Sequence, residues 1–287
     1  MIPKGIFFVV NPISGGVNKE DIIKKLNALS IPGRKEVFIW DKIHELKPKL
    51  QTLSPHEFGW IVVVGGDGTL NAVIQDIDLS QFQLSIIPKG SGNGFARSMG
   101  ITTNNINAAF FTANKEVRQI DWVLAGSHKF INVAGLGFDA EIARLFAHSK
   151  RRGFLSYVLI TLKAFKAYPE HQFELKWGNR VKTESCWLIA LANGSQWGNN
   201  FHIASKASFS DGLLDVVLLK KPKWYQIPSL VLSLRAAKPH KLISAFQTEQ
   251  LDIYSATCDS LHLDGEPQAF DKNLSLRIAG KAQFVVP

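Results

Sequence analysis

Three turns combine glycine with small polar side chains: Asn11-Pro12-Ile13-Ser14-Gly15-Gly16, Gly65-Gly66-Asp67-Gly68-Thr69 and Pro88-Lys89-Gly90-Ser91-Gly92-Asn93. Glycine lets backbone N–H groups come close to an anion, and a helix start just beyond favours negative charge. Such turns suit the phosphates of a nucleotide. Asp67 is the informative residue among them, because a carboxylate beside phosphates is repulsive unless a divalent cation or a donor network lies between. Asp67 is therefore expected to orient the phosphate loop or to help hold Mg2+, directly or through water. Thr69 and Asn71 read as caps of the following helix and as further donors. In the third turn Gly90 and Gly92 offer amides, Ser91 a hydroxyl, and Asn93 a donor and an acceptor. Arg97, one helical turn on, can meet a phosphate or a carboxylate with two parallel hydrogen bonds; a lone Arg there would otherwise be an exposed helix charge. Any one of these turns is compatible with simple turn chemistry. Three together are not.

The elements that must position them alternate in type. Apolar runs at 6–10, 60–64 and 84–87 precede the three turns, and Val37-Phe38-Ile39-Trp40 reads as one more strand. Ile22, Ile23, Leu26 and Leu29 recur at helical spacing. A weaker helix over 43–53 contains Pro48. Successive βα units with short loops predict a parallel sheet covered by helices, with ligands beyond the carboxyl ends of its strands. After residue 120 the pattern changes. Strands are expected at 121–124, 129–133, 172–177, 181–192, 213–220, 259–263, 274–278 and 282–286, with helices at 139–148 and 154–168. The expected fold is thus α/β plus mainly β. A nucleotide-binding domain spans 1–121 and a β-sandwich domain 122–287, with the last strand returning to the first domain.

Composition narrows the partners. The chain has 287 residues, a net charge of +9 and 46% hydrophobic residues, which fits a folded protein whose surface attracts anions. Charge alone does not choose among nucleotides, nucleic acid and an acidic membrane face, but no recognised nucleic-acid module is present. Cys186 and Cys258 stand outside any CxxC pattern, which argues against a disulfide framework or a zinc site and for a reducing compartment. The first apolar run is too short for a signal peptide, and the run at 154–168 is interrupted by Lys163 and Lys166. A cytoplasmic protein is expected.

The trio Asn-Pro-x-Ser-Gly-Gly, Gly-Gly-Asp-Gly-Thr-Leu-Asn and Pro-x-Gly-Ser-Gly-Asn-x-Phe-Ala-Arg resembles the diacylglycerol kinase catalytic-domain family, which includes bacterial lipid kinases, sphingosine kinases and ceramide kinases. The likeness continues through Phe130-Ile131-Asn132-Val133-Ala134-Gly135-Leu136-Gly137-Phe138-Asp139-Ala140, Asp211-Gly212-Leu213-Leu214-Asp215-Val216 and Leu263-Asp264-Gly265-Glu266-Pro267. It implies an ATP- and Mg2+-dependent kinase in which lipid hydroxyl and γ-phosphate meet in a cleft between the domains. It assigns the base to Asp264 or Glu266, with the other acid orienting it or binding metal. It also implies a structural cation on the Asp211 carboxylate and the carbonyls of Ser208 and Leu213. Oxygen ligands of that kind suit Mg2+ or Ca2+. Gly94 stands where bacterial diacylglycerol kinases carry an acid, which resembles the sphingosine kinase variant and leaves diacylglycerol or a sphingoid or ceramide-like lipid as acceptor.

A lipid substrate implies peripheral contact with an anionic membrane surface. Two clusters suit it: Lys150-Arg151-Arg152 with the apolar residues that follow, and residues 220–223 with Trp224, Tyr225, Arg235, Lys238 and Lys241. A homodimer is compatible with the sequence. Two other readings remain at this point: a NAD kinase-like enzyme, which shares Gly-Gly-Asp-Gly-Thr, and a non-catalytic nucleotide- or membrane-binding protein.

Overall fold

Apolar runs without alternation predict strands buried on both faces, and the first four strands behave that way to different degrees. The computed structural model describes residues 5–12, 20–31, 33–40, 43–90, 92–102, 111, 116–149, 154–198 and 200–287. Ser14, Gly15, Gly16, Ser91 and the cluster Lys150-Arg151-Arg152 lie outside the described residues. The chain divides into two units, 1–120 with 280–287, and 121–279.

The first unit runs β1 (Gly5–Val10), α1 (Glu20–Ala28), β2 (Arg34–Ile39), α2 (Ile43–Gln51), β3 (Trp60–Gly65), α3 (Asp67–Gln75), β4 (Gln83–Pro88) and α4 (Gly94–Ser98). The strands pair in parallel in the order β2-β1-β3-β4. β1 and β3 are central and buried at every residue, whereas β2 is an edge strand and half-exposed. Alternate residues serve opposite faces. Phe8, Val10, Trp60, Val62 and Val64 pack with Leu26 and Phe111 on one side. On the other, Phe7 meets the rings of Phe38 and Phe58. From β1 the chain moves outward to β2 and then crosses back to β3. The strand order therefore reverses between β1 and β3, and the loops leaving their carboxyl ends diverge there.

The second unit is carried by antiparallel strands. It continues with β5 (Glu116–Ala125), β6 (His128–Phe130), β7 (Val133–Gly137), α5 (Phe138–Ala147), α6 (Phe154–Ala167), β8 (His171–Trp177), β9 (Arg180–Cys186), β10 (Leu188–Ala192), β11 (Gln196–Gly198), β12 (Phe201–His202) and β13 (Leu214–Leu219). A 3-10 turn (Trp224–Gln226) leads into α7 (Ile227–Arg235), followed by β14 (Ile243–Thr248), β15 (Gln250–Tyr254), β16 (Ser260–Leu263), β17 (Glu266–Ala269) and β18 (Asn273–Val286). One sheet has the order β14-β13-β10-β7-β16-β17; facing it are β18-β15-β8-β9, with β5 on β18 and β6 on β5. Phe130, Phe173, Leu175, Ile253 and Leu276 of one sheet pack on Leu136, Ile189, Leu191, Val216 and Leu261 of the other. This is a β-sandwich. Leu188, Ala190 and Ala192, the alternate residues of β10, turn outward to a second core that includes Phe138 and Ile142 of α5 and Leu230 and Leu234 of α7. The final residues of β18 return to pair in parallel with β4.

Three expectations about elements need correction. The run 181–192 is two strands in different sheets, because Trp187 breaks it. That indole stacks on Phe138 with ring centroids 3.7 Å apart, and its carbonyl accepts the Phe138 amide at 3.0 Å. The stretches 274–278 and 282–286 form the single strand β18. The sequence reading had no elements for α7, β14, β15 or β17, whose outward residues are polar, small or themselves exposed apolar.

Candidate functional site

The rim of the parallel sheet is stitched from loop to loop. Asn11, just past β1, donates from Nδ2 to Thr69 Oγ1 at 3.1 Å across the point where the strand order reverses. Lys89 N donates to Gly65 O at 2.7 Å, tying the turn after β4 to the turn after β3. At that junction the backbones nearly touch: a Cβ on Gly90 would stand 2.6 Å from Gly66 Cα. A Cβ on Gly65 would collide with the Thr69 side chain. Glycine is required at both positions by space alone. At Gly92 an added Cβ meets nothing within 4 Å.

Asp67 reaches over this junction. Its Oδ2 accepts Gly94 N at 2.7 Å and its Oδ1 accepts Phe95 N at 3.3 Å, so the carboxylate caps the start of α4. Asn93 has left-handed φ of 49° and closes its own turn, accepting Gly90 N at 2.9 Å and donating to Gly90 O at 2.8 Å. Arg97 folds back, Nε donating to Gly92 O at 3.1 Å. The Asp67 carboxylate is thus met by the backbone amides that open α4. Thr69 and Asn71 do not cap α3. The helix begins at Asp67 with Gly66 as N-cap and no side-chain cap bond, and Asn71 is buried one turn in, bonded to Gln75 at 3.1 Å. The amides at the head of α3 have no partner one turn earlier in the helix, which suits an anion.

The two acids of the second unit do not share one environment. Asp264 and Gly265 form the two-residue connection of the β16–β17 hairpin, with φ of 51° and 88°. The Asp264 side chain turns inward. Oδ1 accepts Asn132 N at 2.8 Å and Val133 N at 3.1 Å, while Oδ2 accepts Ile131 N at 3.1 Å. Asp264 N donates to Val133 O at 3.0 Å. Glu266 opens β17 and is exposed. An oxygen whose lone pairs already accept amide hydrogens is a poor acceptor for another proton. Asp264 holds the hairpin; Glu266 is the acid turned to solvent.

Further residues hold this hairpin and were missed by sequence reasoning. His262 Nε2 lies 3.2 Å from Asp139 Oδ2, and Gly265 N donates to His262 Nδ1 at 3.3 Å, which assigns the ring proton to Nε2. Gly135 leaves room for the pair, since a Cβ there would meet the Asp139 carboxylate and His262 Nε2. Asn193, fully buried, donates to Asp121 O at 2.8 Å and to Ile131 O at 2.7 Å, fixing the segment that grips Asp264. The available signal was an isolated Asn or His inside an apolar strand.

The expected cation ligands lie in one turn. Asp211 is exposed, and its Oδ1 accepts Leu213 N at 3.0 Å. Gly212, at φ 75°, donates its N–H to Asp121 Oδ2 at 2.7 Å, so a wholly buried second carboxylate supports the same turn. Among the described residues no three His, Cys, Asp or Glu side chains cluster as metal ligands. A cation at Asp211 would therefore take backbone carbonyls and water beside the carboxylate, a donor set that fits Mg2+ or Ca2+.

Glycine turns at the rim of a parallel sheet, followed by an antiparallel sandwich carrying an acidic hairpin, define an α/β unit and a β-sandwich unit. Residues 5–125 match the diacylglycerol kinase catalytic domain, and residues 132–276 match the YegS C-terminal NAD kinase beta sandwich-like domain. The chain belongs to the diacylglycerol kinase catalytic-domain family. It is 28% identical over 239 residues to a Shewanella frigidimarina protein named "Probable lipid kinase YegS-like", covering 80% of this chain and 77% of that one. It is 30% identical over 171 residues to a Bacillus subtilis diacylglycerol kinase, covering 58% of this chain and 56% of that one. The crystal structure of a diacylglycerol kinase from Bacillus anthracis strain Sterne superposes with a TM-score of 0.74 at 17% identity, covering 99% of this chain and 97% of that one, a likeness of fold.

Proposed function

We propose that this protein is an ATP-dependent lipid kinase that transfers the γ-phosphate to a lipid hydroxyl, on diacylglycerol or on a sphingoid or ceramide-like lipid. The observation that carries the reading is the junction of Gly66, Asp67 and Gly90, where two glycine turns are pressed together and capped by one carboxylate. Such a junction brings backbone amides and the start of a helix close together with little side-chain bulk, which suits phosphate oxygens. Asn11, the turn 65–69, Asn71 and the turn 90–93 are assigned to the nucleotide, together with Ser14, Gly15 and Gly16.

Phosphoryl transfer asks the protein for position and for charge neutralisation, because little covalent chemistry is left to side chains. Bound with ATP, Mg2+ supplies part of the neutralising charge. Glu266 accepts the proton of the lipid hydroxyl as its oxygen bonds to the γ-phosphorus and the bond to ADP breaks. Asp264, through its amide contacts, and His262, through Gly265, keep the Glu266 turn in place. The Asp211 turn holds a structural cation. The enzyme works in the cytoplasm against an anionic membrane that supplies its substrate.

The test is purified protein with Mg2+ and γ-labelled ATP on extracted lipids, separated by thin-layer chromatography. A labelled diacylglycerol, sphingoid base or ceramide is expected. Label on NAD, or on no lipid at all, overturns the reading.

A further inference from the structure

Exposed apolar side chains are unevenly spread in the described residues. Of ten large hydrophobic residues with exposed surface, Trp224, Tyr225, Val231 and Leu232 fall within nine positions. Trp224 is 79% exposed, Tyr225 58% and Leu232 68%. Helix α7 explains the arrangement. Leu230, Ser233 and Leu234 are its buried face against the sandwich, so Val231, Leu232 and Arg235 must face away. Trp224 and Tyr225 sit on the 3-10 turn that leads into it, edge to face with centroids 6.0 Å apart.

The charge carried by this segment has one sign. Residues 220–248 carry five Lys and one Arg, and neither Asp nor Glu. They are not equivalent. Lys221 is a structural peg, donating to Tyr168 O at 2.6 Å and Lys166 O at 3.3 Å. Lys220 lies 3.4 Å from Glu184, and the Arg235 guanidinium covers the Phe201 ring at 5.0 Å. Lys223, Lys238 and Lys241 remain exposed.

Resting on the lipid-kinase reading, we infer that the 3-10 turn and outer face of α7 form a docking surface for an anionic bilayer, with Trp224, Tyr225 and Leu232 entering the interface and Lys223, Lys238 and Lys241 meeting headgroups. An amphipathic helix with apolar residues outward and basic residues at its borders lies flat in the headgroup region. Trp and Tyr favour that depth because each has an apolar ring and a polar tip. Each lysine near an anionic surface adds attraction that salt screens. Helix α6 covers the same face of the sheet, with Ile160, Ala164 and Phe165 on the core that receives α7. Leu159 and Leu162 of α6 are exposed as well.

The full chain is cosedimented with vesicles of phosphatidylcholine alone or mixed with phosphatidylglycerol, at low and high salt. The expected result is binding to the mixed vesicles that weakens with salt. Trp224→Ser with Leu232→Ser, and Lys223→Glu with Lys241→Glu, should each weaken it about tenfold or more. Both double variants should phosphorylate detergent-dispersed lipid at the wild-type rate. Wild-type vesicle binding by the variants, equal binding to both vesicle types, or a patch whose mutation alters only oligomeric mass overturns the inference. Failure of the kinase reading looks different: no lipid is labelled in either format, while the vesicle binding and its loss persist.

Discussion

The glycine rim of the first unit and the acidic hairpin of the second are both tight turns at strand ends, yet they are built by opposite means. In the rim, which we propose faces the ligand with its backbone, side chains such as Asn93 and Asp67 bend back to shape the turn. In the hairpin the proposed reactive group is a side chain, and backbone amides more than 130 positions away hold its neighbour Asp264. A backbone site tolerates an added side chain poorly only where space is short. A side-chain site depends on one functional group and on whatever fixes it.

Glu266→Gln tests the second half of that contrast most severely. Turnover should fall about 100- to 10,000-fold with the KM for ATP and the melting temperature little changed. Near-normal turnover would remove Glu266 from the base role. Asp264→Asn sharpens the separation of the two acids. An Asn amide facing amide donors loses charge-assisted bonds, so stability should drop by about 2–4 kcal/mol, seen as a melting temperature lower by about 5–10 °C, with activity reduced alongside. Lost activity with an unchanged melting curve would make Asp264 catalytic instead.

Gly90→Ala and Gly92→Ala probe the rim. The first places a methyl group against Gly66 and should weaken binding of a fluorescent ATP analogue about tenfold; the second has open space and should not. Equal effects would deny that close backbone approach matters.

The smallest effect concerns a buried histidine at the start of β8. Burial pushes the His171 pKa below its ordinary value, against an opposing pull from Asp259. Above a pH of about 6.5 the ring is neutral in both folded and unfolded chains, and its contribution to stability is complete. As pH falls from there through the lowered folded pKa, the unfolded chain takes the proton first and stability is lost. Thermal melts between about pH 7 and pH 5 should show a decline of a few degrees that His171→Phe reduces. A melting temperature that rises on acidification would contradict the sign.

What could be read along the chain was whatever depends on near neighbours. Continuous apolar runs gave β1, β3 and β4, and glycine pairs marked the turns after them. Many strand-like segments with few helices between them were enough to infer a second, mainly β unit. The same reasoning failed at Trp187, where a strand-like stretch with no turn residue hides a change of sheet, and the indole stacks on Phe138. It failed again over α7, whose outward Val231 and Leu232 spoil the helical contrast between faces.

By itself the sequence determined the parallel sheet and the candidacy of Asp67, because residue type and spacing within a few positions fix those; Asp264 and Glu266 became candidates through the resemblance of their motif to the family. Only the tertiary structure decided that Asp264 is a brace and Glu266 the exposed acid. It alone brought His262 to Asp139, Asn193 to Ile131 and Asp121 to Gly212. Those pairs are 123, 62 and 91 positions apart, and hydrogen bonds over such separations exist only once sheet order and register have brought the strands together.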